Sequence, residues 1–131
     1  MTVGEIRAID AVVHTDESAQ LLAVEFSRIP FPVVRAFTVT GSAGAVRGGH
    51  GHLRCVQAMF CIQGGVEVTT VSADGQREFT LTADGSGLLL PSKTWSSQRY
   101  AENGSVLLVL ASRPYEPDDY FEEPSLVGRS V

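Results

Sequence analysis

The sequence has no long hydrophobic run. None of its apolar stretches approaches the roughly 20 residues that a helix needs to cross a bilayer. The first residues, MTVGEIRAID, also lack the basic region and apolar stretch of a secretory signal. We therefore expect a soluble, cytoplasmic protein without a membrane partner.

Cysteine is scarce, with only Cys55 and Cys61 in the chain of 131 residues. Both lie in one apolar segment, where an extended strand would hold them too far apart for a disulfide. A disulfide scaffold is therefore excluded, and a cysteine-based zinc site would lack further ligands.

Positive charge is also limited. The 10 Lys and Arg residues stand against 15 Asp and Glu residues, which gives a net charge of −5 at pH 7. This balance argues against a surface that binds nucleic acid. Residues 113–131 contain five acidic and two basic residues, so most of the excess lies there. The rest of the chain is nearly neutral and does not repel a small anionic ligand.

No long stretch keeps a helical period. Short β-branched or aromatic segments instead alternate with glycine, proline and Asp-Gly pairs, a rhythm that predicts an all-β barrel or sandwich. The clearest hairpin is VEVTTVSADGQREFTL, with Asp74 and Gly75 as its turn. The length fits one domain. We predict a β-barrel over residues 1–112 and an acidic C-terminal tail over residues 113–131, whose first part packs on the barrel.

The most informative segment is GAVRGGHGHLRCVQAMFCIQG, residues 44–64. Its spacing of glycine, His-x-His, a polar residue and glycine resembles the first cupin motif, with Gln57 in the place of a glutamate. A second cupin motif is matched in part, and its histidine position falls on Ser96. Because side chains alternate along a strand, His50 and His52 are expected to point together into the interior.

The pattern lacks two of the four ligands of metal-binding cupins. The amide of Gln57 and the hydroxyl of Ser96 are poor ligands for a divalent transition metal, so we expect no metal and no cofactor. The imidazoles of His50 and His52 are then available for proton transfer, since their ordinary pKa lies near neutrality. The alternative is a structural pair that core hydrogen bonds satisfy.

Nearly the whole chain resembles one family. The strings IPFPVVRAF, RGGHGH, GLLLPSKTW, VLLVLAS and YEPDDYF are similar to the sugar 3,4-ketoisomerases that act on TDP-4-keto-6-deoxyglucose, which include WxcM-like proteins. The resemblance implies a jelly-roll cupin that forms a homodimer, needs no metal and uses His50 and His52 as acid and base. The implied reaction moves the carbonyl from C4 to C3 through an enediol and makes a TDP-3-keto-6-deoxyhexose for deoxysugar biosynthesis.

Several positions depart from the family pattern. They are Ser18, Thr38, Leu53 and Ser96. These departures concern the substrate contacts and the stereochemical outcome. The gluco or galacto configuration of the product and the division of acid and base roles between the two histidines stay open.

The nucleotide-sugar substrate implied by the resemblance needs cations for its diphosphate. Arg35 on the VVRAFTV strand and Arg47 beside the histidines are the best placed, although either could instead be solvated or paired with the acidic tail. Strand alternation turns Gln57 and Tyr100 toward the same interior. We predict these four residues as the substrate-binding set.

Two other hypotheses about function stay open. One is a small metal-dependent cupin enzyme, a dioxygenase or another isomerase, with Gln57 as an unusual ligand; metal analysis of the purified protein would decide it. The other is a non-catalytic sugar-nucleotide-binding domain. Thermal stabilisation by the ligand without turnover would favour it.

Overall fold

The computed structural model describes residues 4–124, which fold almost entirely as strands. The strands are β1 (Arg7–Asp10), β2 (Val12–Thr15), β3 (Gln20–Ala23), β4 (Arg35–Gly41), β5 (Val46–His52), β6 (Gln57–Gln63), β7 (Gly65–Ser72), β8 (Gly75–Thr82), β9 (Ser86–Leu90), β10 (Trp95–Tyr100), β11 (Ser105–Ala111) and β12 (Tyr120–Phe121). Two single 3₁₀ turns, Phe26–Arg28 and Pro117–Asp119, are the helical segments of this part of the chain. Among the residues described, no helix is long or apolar enough to cross a membrane.

The strands form two antiparallel sheets of five strands each. The first sheet has the order β1-β9-β6-β11-β4 and the second the order β12-β5-β10-β7-β8, while β2 and β3 form a separate hairpin. Strands that follow one another in the chain mostly lie in opposite sheets, which is the arrangement of a jelly roll. The predicted all-β, single-domain fold is confirmed, with the two sheets facing each other and not joined into a closed barrel.

The predicted hairpin is present as β7 and β8. Ser72 pairs with Gly75, so the two-residue loop is Ala73 and Asp74, one residue earlier than expected. Gly75 follows the loop with a φ of +109°, a conformation that glycine adopts at little cost. The inward residues Val66, Val68 and Thr70 of β7 are buried, and the residues between them are more exposed, as the pattern predicts.

Apolar side chains fill most of the space between the sheets. This core includes Val66, Val68, Leu81 and Leu88, each at most 4% exposed. A second apolar cluster covers the outer face of the first sheet, where Phe31 packs with residues such as Phe60. The first sheet is therefore apolar on both faces, which explains the nearly continuous hydrophobic run of β11.

The chain returns to the second sheet after β11. Following the Pro117–Asp119 turn, β12 pairs with β5 so that Tyr120 lies opposite His52. The backbone N–H of Leu53 donates to the carbonyl of Asp119 at 2.7 Å. These bonds bring the C-terminal segment against the strand that carries the two histidines.

Candidate active site

Strand β5 places both histidines on the inner face of the second sheet. Gly51 between them lies against the Phe121 ring and the Thr94 carbonyl, where a Cβ atom would collide. Gly48 has a φ of +81° and lies against the carboxamide of Gln98. The glycines of RGGHGH thus let the β5 backbone approach Phe121, Thr94 and Gln98 closely, while the two imidazoles point inward.

A polar cavity of about 170 Å³ lies between the sheets, where β4 of the first sheet faces β5 and β12 of the second. Its polar side chains are Arg35, Arg47, His50, Gln57, Ser96, Gln98 and Tyr120. The cavity is smaller than the roughly 300–1,000 Å³ of pockets for drug-sized ligands. It therefore has room for a ligand fragment of about the size of a sugar ring.

The two histidines have different surroundings. His50 lines the cavity and is partly exposed, whereas His52 is buried at 7% exposure. Their ring centres are 5.3 Å apart, and the Tyr120 ring lies 4.8 Å from His50 and 4.4 Å from His52. The sequence placed both on one face correctly but gave no sign that one lies behind the other.

A carboxylate from the C-terminal segment holds His52. Asp119 Oδ2 lies 3.1 Å from Nδ1 of His52, and Asp119 itself is only 2% exposed. The other ring nitrogen, Nε2, is buried and has no hydrogen-bond partner among the described residues. Asp119 therefore holds the Nδ1 side of the His52 ring, whereas Nε2 has no partner among the described residues.

Burial changes the protonation of both imidazoles. Desolvation lowers the pKa of His50, and the Gly48 backbone and the charge of Glu122 offset this in part. Desolvation also lowers the pKa of His52, opposed by its hydrogen bond to Asp119. Both rings are therefore mainly neutral at pH 7 and can accept a proton.

Within residues 4–124, the cations at the cavity have no acidic partners. Neither Arg35 nor Arg47 forms a salt bridge within residues 4–124. The Arg35 guanidinium lies over the rings of Phe37 and Tyr115, with distances of 4.6 and 5.6 Å to the ring centres. These stacking contacts hold the group beside the cavity and leave its N–H donors free for an anion.

Tyr100 is not where we predicted a substrate contact. It shares the inward face of β10 with Ser96 and Gln98, but it is completely buried in the apolar core and does not line the cavity. Burial raises the pKa of its hydroxyl. Strand alternation gave the correct face, but it does not report how deep a position lies.

Two residues of the site were missed from the sequence. Asp119 and Tyr120 lie in the string YEPDDYF, which carried part of the family resemblance but received no role. The signal was a pair of acidic residues followed by aromatics after the last long strand. Their contact with His52 joins positions 67 residues apart, which no local pattern shows.

The donor set favours hydrogen bonding over metal binding. At the two remaining cupin ligand positions, Gln57 and Ser96 line the cavity, and Ser96 Oγ accepts from Gln98 Nε2 at 2.9 Å. His52, Cys55 and Asp119 are the one group in the described part of the chain with three potential ligand atoms close together. In this group, Asp119 Oδ1 and Oδ2 accept the backbone N–H groups of Arg54 and Cys55, and Oδ2 also lies 3.1 Å from His52 Nδ1.

Comparisons with known proteins find relatives over most of the chain. The family model described as "FdtA: WxcM-like, C-terminal" matches residues 4–127. The TDP-4-oxo-6-deoxy-alpha-D-glucose-3,4-oxoisomerase of Aneurinibacillus thermoaerophilus is 28% identical over 110 residues, which cover 82% of this chain and 79% of that protein.

Solved structures share the fold. QdtA, a sugar 3,4-ketoisomerase from Thermoanaerobacterium thermosaccharolyticum solved in complex with TDP, has a TM-score of 0.83 and 27% identity, covering 93% of this chain and 90% of QdtA. NovW, a 4-keto-6-deoxy sugar epimerase from Streptomyces spheroides, has a TM-score of 0.78 and 16% identity, covering 89% of this chain and 68% of NovW. The fold alone therefore does not choose between isomerase and epimerase.

Proposed function

The chain belongs to the FdtA family of WxcM-like proteins, and from this membership we propose that it is a TDP-4-keto-6-deoxyglucose 3,4-ketoisomerase. Its product is a TDP-3-keto-6-deoxyhexose for deoxysugar biosynthesis. The observation that carries the proposal is a pair of neutral imidazoles, of which His50 lines a polar cavity of sugar-ring size and His52 lies next to it, with the ring centres 5.3 Å apart.

The reaction needs only proton transfers. The C3 hydrogen is acidic because it is α to the C4 ketone, and its removal gives an enediol. Return of a proton to C4, with loss of the O3 hydroxyl proton, leaves the carbonyl at C3. Since C3 is oxidised as C4 is reduced, the isomerisation is an intramolecular oxidation and reduction that requires no external oxidant.

His50 and His52 carry these protons. Each ring has a lone pair at neutral pH because burial lowers its pKa. The amides of Gln57 and Gln98 line the same cavity and are placed to donate to the enediolate oxygen. The two imidazoles and the two amides thus supply a base, an acid and a stabilising donor.

Arg35 and Arg47 bind the diphosphate. Their forked donors suit phosphate oxygens, and no acidic side chain within the described residues competes for them. A cavity of about 170 Å³ takes the sugar, so the nucleotide lies at the mouth.

The activity is tested by product analysis. Incubation with TDP-4-keto-6-deoxyglucose in heavy water should give a 3-keto product with deuterium at C4, detected by proton NMR. The double variant His50→Asn/His52→Asn should lose roughly 10²–10⁴-fold in rate, the usual contribution of general acid and base groups. No new ketosugar, or an equally active double variant, would contradict the proposal.

Substrate binding is tested at Arg35. Arg35→Ala should raise KM roughly tenfold to a hundredfold, since a charge-assisted hydrogen bond contributes about 1.5–3 kcal/mol. The matched control is Arg77→Ala, which removes a guanidinium that stacks on Phe79 at 4.8 Å but does not line the cavity. Equal KM values for the two variants would exclude Arg35 from binding.

We also propose a cytoplasmic homodimer that binds the nucleotide sugar and has neither nucleic acid nor membrane as a partner. Phe26 and Val34 are each 57% exposed and Leu21 is 54% exposed, which leaves apolar surface for a second copy. Strand β4 is at the edge of its sheet, where association covers unpaired backbone groups. Light scattering at micromolar concentration should give twice the chain mass; a monomer would contradict this proposal.

We further propose that residues 113–131 form an acidic tail on the β-barrel of residues 1–112. In the described part of this tail, the carbonyl of Glu122 accepts a hydrogen bond from the Trp95 indole at 3.0 Å, and Phe121 is buried. These contacts support a tail whose first part is fixed to the second sheet.

A further inference from the structure

Ser96 on β10 lies directly across the second sheet from His50 on β5. The two residues are register partners, and both line the cavity between the sheets. The Cβ atoms of such partners are about 4.5–5.5 Å apart. Ser96 is 5% exposed, so its hydroxyl is shielded from bulk solvent. A ligand that reaches His50 in the cavity therefore lies beside the Ser96 hydroxyl as well.

Gln98 orients this hydroxyl. Its Nε2 atom donates to Ser96 Oγ at 2.9 Å, and both side chains are buried. Gly48 makes room for the bond, because a Cβ atom there would collide with the Gln98 carboxamide. A hydroxyl has one hydrogen and accepts with its lone pairs, and Ser96 donates to no protein group within residues 4–124. The hydroxyl hydrogen is therefore free for a ligand in the cavity.

The isomerisation needs a hydrogen-bond donor at this place. Removal of the C3 proton sends negative charge to O4, the oxygen on the neighbouring carbon. The imidazole that moves a proton and the donor that stabilises this charge must therefore lie side by side. His50 and Ser96 do so at the cavity. The cupin pattern has a histidine where this chain has Ser96, so the resemblance supplies no role for the hydroxyl.

The amides at the cavity do not replace this hydroxyl. One N–H of Gln98 is already used, since it donates to Ser96. Gln57 lies on β6 of the first sheet and approaches a ligand from the opposite wall. Ser96 approaches it from the same wall as His50.

We propose that Ser96 is a catalytic residue that donates a hydrogen bond to O4 of the sugar, and that Gln98 positions its hydroxyl. This inference rests on the proposed ketoisomerase activity. In the step, the C3–H bond breaks and its electron pair forms the C3=C4 double bond. The π pair of the C4 carbonyl moves onto O4, and the C3 proton goes to an imidazole. The Ser96 O–H bond stays intact, and its hydrogen bond to O4 strengthens as the charge develops.

The kinetic test compares two adjacent serines. Ser96→Ala should lower kcat roughly 10²–10³-fold, the usual loss when one donor to a developing oxyanion is removed. KM should change far less, because the bond is strongest in the transition state. The matched control is Ser97→Ala on the next position of β10, where the side chain does not line the cavity. It should keep the wild-type kcat and KM. Equal kcat values for the two variants overturn the proposal.

Two further variants separate donation from mere support of the Gln98 amide. Gln98→Met keeps the Ser96 hydroxyl but lets it turn, so kcat should fall less than in Ser96→Ala, with KM near the wild-type value. If Gln98→Met loses more than Ser96→Ala, the serine only holds the amide and the proposal is wrong. Ser96→Cys keeps the shape with a much weaker donor and gives the same comparison if Ser96→Ala does not fold.

The hydrogen bond can also be measured without turnover. In the double variant His50→Asn/His52→Asn, TDP-4-keto-6-deoxyglucose labelled with ¹³C at C4 should bind and react too slowly to interfere. Infrared spectroscopy then reports the stretch of the bound carbonyl. Adding Ser96→Ala should move this band to higher frequency, because loss of a donor strengthens the C=O bond. Adding Ser97→Ala should leave the band in place. A band that Ser96→Ala does not shift overturns the proposal.

The two levels of inference fail differently. If the wild-type protein makes no 3-keto product although Ser96→Ala shifts the carbonyl band, the proposed function is wrong and the catalytic role of Ser96 is wrong with it. If the protein isomerises the sugar but neither kcat nor the band responds to Ser96→Ala, the function stands and the role of Ser96 is wrong.

Discussion

The space between the two sheets has an apolar side and a cavity side that differ in purpose. On the apolar side, β7, β8 and β9 contribute Val66, Leu81 and Leu88, which are almost completely buried. On the cavity side, β4 and β5 contribute Arg35 and His50 to a space of about 170 Å³. On the apolar side, side chains pack closely and are buried. On the cavity side, polar side chains surround a space that the protein leaves unfilled. Stability and activity should therefore respond to different substitutions.

The boundary between the two sides crosses individual strands. Along β6, Gln57 and Met59 line the cavity, while Cys61 is buried in the core. Along β10, Ser96 lines the cavity and Tyr100 lies in the core. An inward-facing position is therefore necessary for a role in the site but is not sufficient.

The largest expected effect is the loss of activity in His50→Asn. The rate should fall roughly 10²–10⁴-fold because His50 is the imidazole that lines the cavity. The free energy of unfolding should change by less than about 1 kcal/mol, since the side chain is only partly buried and Asn keeps a polar group there. Proton NMR of the product and urea denaturation measure the two quantities. His14→Asn, on the exposed face of β2, is the control and should change neither.

On the apolar side, we expect a loss of stability without a loss of rate. Leu88→Ala should lower the free energy of unfolding by about 2–5 kcal/mol, because Leu88 is 2% exposed and its removal leaves a void. The rate per folded molecule should stay near the wild-type value, measured well below the midpoint of thermal unfolding. Leu21→Ala, at a side chain 54% exposed, should lower stability far less. A rate loss in Leu88→Ala larger than the loss of folded protein would show that the two sides are coupled.

The pH dependence of stability should come from the cavity side. Burial lowers the pKa of His50 and His52 in the folded protein, so protonation favours the unfolded state. Their contribution is complete above the ordinary imidazole pKa of about 6.5 and is lost as pH falls from there through the lowered values. Urea denaturation between pH 7.5 and pH 5 should show this loss in the wild-type protein. A double variant His50→Asn/His52→Asn that loses stability just as steeply would assign the effect to other groups.

The smallest expected effect is a gain in stability at the turn before β10. Lys93 has a φ of +63°, a left-handed conformation that is unfavourable for a residue with a Cβ atom. Lys93→Gly should raise the free energy of unfolding by about 0.5–1 kcal/mol, because relief of the strain exceeds the entropy that glycine loses. Lys93→Ala keeps the Cβ atom and should give no such gain. Equal values for both variants would show that the conformation is not strained.

Much of the fold followed from local signals. The alternation of apolar and polar residues with glycine-rich turns predicted the strands, and Val66 and Val68 are buried as the hairpin pattern required. The His-x-His spacing put His50 and His52 on one inner face. These features could be predicted because the alternation of side chains along a strand and the choice of turn residues both depend on residues that are close in sequence.

The rest of the site depends on contacts between residues far apart in sequence and on how deep each residue lies between the sheets. Asp119 reaches His52 only because the chain crosses both sheets before it returns to β5. Tyr100 has the correct face but lies beyond the polar part of β10. The depth of a residue and its long-range partners are set by how the sheets pack, which a local pattern does not encode.

The position of β12 in the chain has a consequence for protein synthesis. Every strand of the two sheets except β12 precedes Asp119 in the sequence, so a ribosome has released all of them before this carboxylate emerges. A nascent chain can therefore pair the other nine strands of the two sheets while His52 still lacks its partner. We expect catalytic competence to appear last during translation, which makes turnover a reporter for the docking of the final strand.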